Sequence, residues 1–131
     1  MATDENKEAI AAAMAALDLF MNSLNAHDND GVRASFNFPH ARHASGRWHV
    51  WEKPEDMVNK LLTDPASAGD WHRSAWDKRE IVQAGPDKVH LSVQFSRYRK
   101  DGSYIASFES LWIVTLQDGK WGVAGRSSWA A

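Results

Sequence analysis

The sequence predicts an α+β domain in which N-terminal helices pack on one face of an antiparallel sheet. Its first part carries apolar residues at helical spacing, and residues 88–129 form alternating apolar runs joined by two Asp-Gly pairs. Helices at one end of a chain and a strand meander at the other are typical of this layout. A chain of 131 residues is long enough for one domain, residues 1–131, with one hydrophobic core.

The first helix is predicted over residues 5–26. Apolar residues recur at three- and four-residue spacing from Ile10 to Leu24, and the alanines of this stretch favour helix. The sequence Asp-Asn-Asp-Gly that follows supplies turn chemistry. One of its two aspartates, Asp28 or Asp30, is predicted to cap a short second helix.

The middle of the chain gives weaker patterns. Residues 35–51 are predicted to form an irregular strand pair, in which Pro39 is expected away from a central strand position. A third helix is predicted to start at Lys53-Pro54-Glu55-Asp56, because proline and acidic residues favour a first turn, and to end at Asp64-Pro65. The loop after this helix leads into a long strand, Trp71–Ala84.

Two hairpins are predicted in the last third of the chain. Strands over residues 88–98, 103–116 and 120–129 are joined by Asp101-Gly102 and Asp118-Gly119. Asp-Gly between alternating apolar runs is a strong hairpin signal, because a tight primed turn needs positive φ at both central residues.

Counting outward from both turns predicts which residues face each other. The predicted pairs are Val89–Val114, Leu91–Trp112 and Phe95–Phe108 in the first hairpin, and Leu116–Trp121, Val114–Val123 and Phe108–Trp129 in the second. Only Arg97, Ser110 and Ser127 bring polar groups to the resulting apolar face. Glu109 and Arg126 are predicted on the opposite, mixed face as a surface ion pair. A bulge in the middle strand would move Glu109 inward and overturn this assignment, since a one-residue slip exchanges the faces.

Composition excludes several classes of function. The net charge of −2 and the lack of a dense Lys/Arg run give no support for nucleic-acid binding. The absence of Cys excludes disulfides and thiolate catalysis. No stretch approaches the ~20 apolar residues of a membrane span, so we expect a cytoplasmic protein without a membrane partner.

Two stretches resemble the nuclear transport factor 2-like superfamily. They are Leu24-Asn25-Ala26-His27-Asp28 after an Ala-rich helix, and the closing Asp118-Gly119-Lys120-Trp121-Gly122-Val123. The chain is most similar to the SnoaL-like, polyketide-cyclase-like branch. The resemblance implies a cone-shaped, cystatin-like fold, in which a curved antiparallel sheet wraps around the N-terminal helices and leaves a pocket at its open end. It also implies a homodimer formed through the outer sheet face.

The resemblance implies a pocket lined by the concave sheet face, the first helix and the segment after the short second helix. The predicted ligand-pocket residues are Trp51, Trp76, Phe95, Phe108, Ser110, Trp112 and Ser127. Pockets are mostly apolar with a few convergent polar groups. The predicted partner is therefore a small apolar or aromatic molecule, and no cofactor is expected. The two serines either line this pocket or only hydrogen-bond each other.

Candidate catalytic groups are His40, His43 and Arg97. An imidazole suits proton transfer at neutral pH, and Arg97 could steady developing negative charge or simply reach water. Enolate-forming relatives such as ketosteroid isomerase carry an acidic base in the corresponding stretch, but residues 39–43 contain no Asp or Glu. His40 and His43 with His49 or His72 make only a weak metal pattern, so no metal is predicted.

The fold alone does not determine the activity, because the same site hosts isomerases, cyclases, dehydratases and plain binding modules. One hypothesis is a small-molecule-binding domain with acid/base chemistry on an apolar ligand. The alternative is a non-catalytic homodimeric binding or structural module whose pocket is filled by its own tryptophans. A third is a protein-interaction role through the mixed outer face.

Overall fold

The computed structural model describes residues 4–57 and 70–130. Within these ranges the helices are α1 (Asp4–Asn25) and α2 (Asn29–Ala34), with a 3-10 helix at Pro54–Asp56. The strands are β1 (Phe36–Ala44), β2 (Arg47–Trp51), β3 (Trp71–Ala84), β4 (Lys88–Arg99), β5 (Tyr104–Gln117) and β6 (Lys120–Ser128). Asp28 is the cap of α2, and its Oδ1 accepts a hydrogen bond from the backbone N–H of Gly31 at 3.0 Å.

The six strands form one curved sheet in the order β2-β1-β6-β5-β4-β3. Neighbouring strands are antiparallel except for β1 and β6, which pair in parallel. Helix α1 packs against β3, β4, β5 and β6 on the inner face of this sheet. The predicted α+β fold, a curved sheet wrapped around an N-terminal helix, is confirmed.

The core lies between α1 and the inner sheet face. Phe20 of α1 stacks on Phe36 at 5.7 Å and meets Trp112 edge-on at 4.9 Å between ring centroids. Trp112 and Val93 are buried, whereas Glu109 is exposed. The predicted inward facing of β4 and β5 is therefore confirmed. Aromatic pairs at these distances add about 0.5–1.5 kcal/mol each beyond the area that they bury.

The β4–β5 hairpin has the predicted pairs Val89–Val114, Leu91–Trp112 and Phe95–Phe108. Its loop differs at the tip. The Gly102 N–H donates to the Arg99 carbonyl at 2.9 Å, and Gly102 has φ +88°, so the loop holds three residues rather than two. Arg97 pairs with Ala106 and Tyr98 pairs with Tyr104, so Ile105 is an extra residue in β5. This extra residue restores the predicted register for the rest of the hairpin.

The β5–β6 hairpin follows the prediction only near its turn. Asp118 and Gly119 both have positive φ, and the pairs Leu116–Trp121 and Val114–Val123 form. The register then shifts, because Ala124 is an extra residue between Val123 and Gly125.

Because of this bulge, four predictions for the end of β6 are wrong. Arg126 pairs with Trp112 instead of lying on the outer face with Glu109. Ser128, not Ser127, pairs with Ser110. Ser127 is exposed, and Trp129, expected to face Phe108, has 79% of its surface exposed. The physical reason is that one inserted residue exchanges the two faces of every later position.

Pro39 occupies an interior strand, contrary to the expected position away from the sheet centre. β1 lies between β2 and β6, but its pairs with β2 begin at His40, and its register with β6 shifts between Phe36 and Ala41. Pro39 thus falls at an irregularity, where a missing N–H costs no ladder hydrogen bond.

The predicted third helix is replaced, where it is described, by the short 3-10 helix. Met57 has an extended backbone, is buried, and its carbonyl accepts a hydrogen bond from Arg33 Nη1 at 3.1 Å. Drawing Met57 into the core ends the helical turn. The remainder of that predicted helix, from Val58 to its predicted end at Asp64-Pro65, and most of the loop after it lie outside the described residues.

Candidate functional site

A cavity of about 100 Å³ lies between α1 and the inner face of the sheet and is partly open to solvent. Its apolar wall is mostly aromatic, and its polar wall contains three arginines and three serines. The lining residues are Phe20, Met21, Leu24, Trp71, Phe95, Trp112, Arg42, Arg97, Arg126, Ser74, Ser110 and Ser128. Three guanidinium groups on an aromatic wall are the most distinctive feature of this site.

Three different strands bring the arginines together. Arg42 lies on β1 two residues after the buried His40, so strand alternation places both on the inner face. Arg97 follows Val93 and Phe95 on β4 by the same alternation. Arg126 reaches this face only because of the extra residue Ala124 in β6.

Arg42 bridges the cavity wall and the C-terminal segment. Its Nη2 donates a hydrogen bond to the Ala130 carbonyl at 2.8 Å. Burial lowers the pKa of Arg42 below its usual value. A guanidinium in such a place favours an anionic partner, because desolvation penalises its charged form.

Arg97 lies against the aromatic wall. Its guanidinium carbon is 4.9 Å from the ring centre of Phe108 and 6.0 Å from that of Phe95. Burial lowers the pKa of Arg97, and the positive charge of Arg42 lowers it further. Both guanidinium groups line the same cavity and carry like charges.

Arg126 lies deepest among the aromatic rings. Its guanidinium carbon is 4.7 Å from the ring centre of Phe36, 5.6 Å from that of Trp112 and 6.0 Å from that of Phe20. Its Nε donates to His40 Nε2 at 2.9 Å. Burial, and to a smaller degree the charge of Arg42, lowers the pKa of Arg126 to about 9.

The cavity offers hydrogen-bond donors and little acceptor capacity. None of its described lining residues is acidic. Ser110 Oγ already donates to the Ser127 carbonyl at 2.9 Å and accepts from Trp112 Nε1 at 2.8 Å. Ser74 Oγ accepts from Trp71 Nε1 at 2.8 Å. Such a site suits a ligand group that only accepts hydrogen bonds and carries negative charge.

Four of the predicted site residues line the cavity: Arg97, Phe95, Ser110 and Trp112. The other predicted pocket residues, Trp51, Trp76, Phe108 and Ser127, are not among its lining. Trp51 and Trp76 pack in the core around the cavity. Ser127 is on the outer face as a result of the bulge.

The two predicted bases are not brought to the cavity with Arg97. His40 is fully buried beneath it, and His43 lies edge-on to the exposed Trp48 at 5.0 Å between ring centroids. Burial is the largest cause that lowers the pKa of His40 to about 2, and the charge of Arg126 is the second. The Nε2 lone pair of His40 already accepts from Arg126, so the geometry does not favour His40 as a general base.

No group of three or more metal-ligating side chains (His, Cys, Asp or Glu) occurs within residues 4–57 and 70–130. None of the helices in these ranges is both long and apolar enough to cross a membrane. The homodimer and the cytoplasmic location stay predictions. Leu111, on the outer face, is 46% exposed and would belong to the predicted dimer contact.

Sequence reasoning missed Arg126 as a cavity residue and did not single out Arg42 as a ligand group. Two glycines in β6 could have indicated the bulge, because glycine inside a strand often marks one. Gly125 directly follows the extra Ala124. Arg42 could have been found by alternation from His40 once that residue was known to be buried.

Comparison with known proteins identifies the family. A family model described as NTF2-like protein (DUF6841) matches residues 7–128. The chain belongs to this family. A comparison with curated proteins gave no match.

Solved structures share the fold of this NTF2-like chain. A protein of unknown function with a cystatin-like fold from Nostoc punctiforme is 16% identical, with a TM-score of 0.72, and the match covers 92% of this chain and 90% of that one. A ketosteroid isomerase-like protein from Erwinia carotovora atroseptica is 18% identical, with a TM-score of 0.68 and coverage of 93% and 95%. An NTF2-like protein from Novosphingobium aromaticivorans is 11% identical, with a TM-score of 0.71 and coverage of 94% and 82%. At these identities the comparison shows the fold alone.

Proposed function

We propose that this NTF2-like protein binds a small organic anion, with a carboxylate or similar acid group held by the arginines and a flat apolar body against the aromatic wall. The observation that carries the proposal is the convergence of Arg42, Arg97 and Arg126 on one cavity without an acidic lining residue. In the described part of the chain, Arg42 and Arg126 have no acidic partner. Their hydrogen bonds go to a carbonyl and to a neutral imidazole.

The cavity volume limits the size of this ligand. About 100 Å³ is well below the ~300 Å³ at the lower end of pockets for drug-sized ligands. A single-ring acid or a short-chain acid fits this volume better than a multi-ring molecule. The walls at Phe20, Trp71 and Trp112 favour a flat ring over a compact polar body.

Binding is favoured over acid/base catalysis. One structural neighbour carries the name ketosteroid isomerase-like, and isomerisation of that type needs a base beside the substrate. No Asp, Glu or His is among the described lining residues, and the His40 lone pair is occupied. The open cavity also argues against a module whose pocket is filled by its own tryptophans.

The test compares benzoate with benzamide, which has nearly the same shape but no charge. We expect benzoate to bind and to raise the melting temperature, because it supplies a negative charge that none of the described lining residues provides. Titration followed by tryptophan fluorescence reports binding directly, since Trp71 and Trp112 line the cavity. Equal binding of benzoate and benzamide, or binding of neither, would contradict the proposal.

A matched pair of variants locates the site. Arg42→Gln removes a cavity charge, whereas Arg73→Gln removes the same charge from an exposed residue outside the lining. We expect Arg42→Gln to weaken benzoate binding about tenfold or more, and Arg73→Gln to leave it unchanged. The same loss in both variants would indicate a general charge effect instead of a site.

A further inference from the structure

His40 accepts a hydrogen bond from Arg126 and can therefore fix the orientation of its guanidinium. It is fully buried on β1, and its two ring nitrogens have different partners. Nδ1 lies 2.7 Å from the Val123 carbonyl oxygen, and Nε2 lies 2.9 Å from Arg126 Nε. Val123 and Arg126 flank the bulge of β6, so one imidazole spans the irregularity that turns Arg126 inward.

These contacts assign the tautomer of His40. A carbonyl oxygen only accepts, so Nδ1 carries the proton and donates to Val123. Arg126 Nε–H only donates, so Nε2 must present its lone pair. His40 is therefore a neutral imidazole. Protonation of Nε2 would place its N–H against the Nε–H of Arg126, and two donors cannot form a hydrogen bond.

Packing fixes the plane of the imidazole. His40 stacks on Phe36 with 4.0 Å between ring centroids and 18° between planes. Trp51 lies 5.8 Å away on the neighbouring strand β2. The same Phe36 ring lies 4.7 Å from the Arg126 guanidinium carbon. The ring of Phe36 thus supports both members of the hydrogen bond.

The bond to His40 determines which donors Arg126 can offer. A guanidinium has two edges that bind two oxygens at once: the Nε side edge and the edge formed by the two terminal amino groups. His40 occupies Nε, so only the terminal edge remains for a ligand in the cavity. Two parallel donors on one edge match two oxygens of one acid group, whether that group is a carboxylate or a tetrahedral oxyanion.

We propose that His40 is a positioning residue that fixes Arg126 so that the terminal edge of its guanidinium, and not the Nε side edge, is presented to the acid group of the ligand. This inference rests on the proposed anion binding and deepens it by naming the residue that orients one of the arginines. His40 itself does not touch the ligand. It acts through the direction of the Arg126 guanidinium.

Two amide variants separate the two hydrogen bonds of His40. Gln places an acceptor near the position of Nε2 and so keeps a partner for Arg126. Asn places its amide near Nδ1, so it keeps a donor for Val123 and leaves Arg126 Nε without an acceptor. The probe is benzoate.

We expect wild type to bind benzoate. His40→Asn should weaken this binding about tenfold, whereas His40→Gln should retain most of it. If wild type binds benzoate and His40→Asn keeps its affinity, the positioning role is wrong and anion binding stands. If wild type does not bind benzoate, both proposals fall.

Nitrogen NMR of the ligand-free protein tests the geometry without any ligand. We expect the neutral Nδ1–H tautomer of His40 at about pH 5, and a slowly exchanging Arg126 Nε–H. His40→Gln should keep that slow exchange, and His40→Asn should lose it. A charged His40 at this pH, or a rapidly exchanging Nε–H in folded wild type, would overturn the assignment.

Discussion

The β4–β5 and β5–β6 pairs each contain one extra residue, but at different places. In β4–β5 it is Ile105, beside the loop, and the pairs beyond it run regularly to the far end of the hairpin. In β5–β6 it is Ala124, in the middle of the pair, and every later residue changes face. Arg97 therefore lies where simple alternation places it, whereas Arg126 does not. A bulge beside the loop leaves the inward-facing residues unchanged, whereas a bulge in the middle of a strand changes which residues face the cavity.

The largest effect is expected from exchanging two neighbouring residues of β6. The double variant Arg126→Ser, Ser127→Arg keeps composition and charge but moves the guanidinium to the exposed outer face. We expect benzoate binding to weaken about 100-fold, since charge-assisted hydrogen bonds contribute about 1.5–3 kcal/mol each. Isothermal titration calorimetry measures this loss. Unchanged affinity would mean that Arg126 does not contribute to binding, and stronger binding would mean that residue 127 faces the cavity, as in a hairpin without the bulge.

The two glycines beside the bulge should differ in their tolerance of a methyl group. A Cβ on Gly122 would lie 2.8 Å from the Asn37 backbone nitrogen, whereas one on Gly125 would be 3.4 Å from Ile113 Cδ1. We expect Gly122→Ala to lower the free energy of unfolding by about 2–3 kcal/mol and Gly125→Ala by less than about 1 kcal/mol. Urea unfolding measures both. Equal losses would argue against the close β1–β6 contact.

The stability should fall at acid pH because His40 is buried and lies beside the positive charge of Arg126, and both lower its pKa. The folded pKa of His40 is lowered to about 2, and its ordinary value is 6.5. Below about pH 6.5 the unfolded chain takes up a proton on His40 that the folded chain does not. The free energy of unfolding therefore decreases as the pH decreases. Through His40 alone, going from about pH 7 to pH 5 should cost roughly 2 kcal/mol.

Urea unfolding of wild type and His40→Gln at both pH values isolates this contribution, because the glutamine does not titrate. The positive groups that lower the pKa of His40 are Arg126 and Arg42. Identical pH dependence in the two proteins would show that His40 is not held neutral.

The smallest effects are expected on the outer face. Glu109 and Ser127 are exposed and lie outside the cavity lining. We expect Glu109→Gln and Ser127→Ala each to change the free energy of unfolding by less than about 0.5 kcal/mol and to leave benzoate binding intact. These variants are controls for the exchange in β6. A large effect of Ser127→Ala would place that residue inward, as a bulge-free hairpin requires.

Much of the fold followed from local chemistry. Trp71–Ala84 has the predicted bounds, Asp28 caps α2, and the facing of Val93 and Trp112 was set by counting from the turns. These features depend on residues close together in the chain. Alternation and turn preference therefore suffice to predict them.

The site depended on contacts that local patterns do not encode. His40 was predicted as a candidate base, but its burial against Phe36 and its bond to Arg126 join strands that are far apart in the chain. The sequence by itself determined the α+β layout, the inner apolar face and Arg97 as a polar group upon it. Only the tertiary structure decided that Ala124 is an extra residue and that Arg126 turns inward. The physical reason is that strand register is a property of two paired segments, and a single unpaired residue changes it for all that follow.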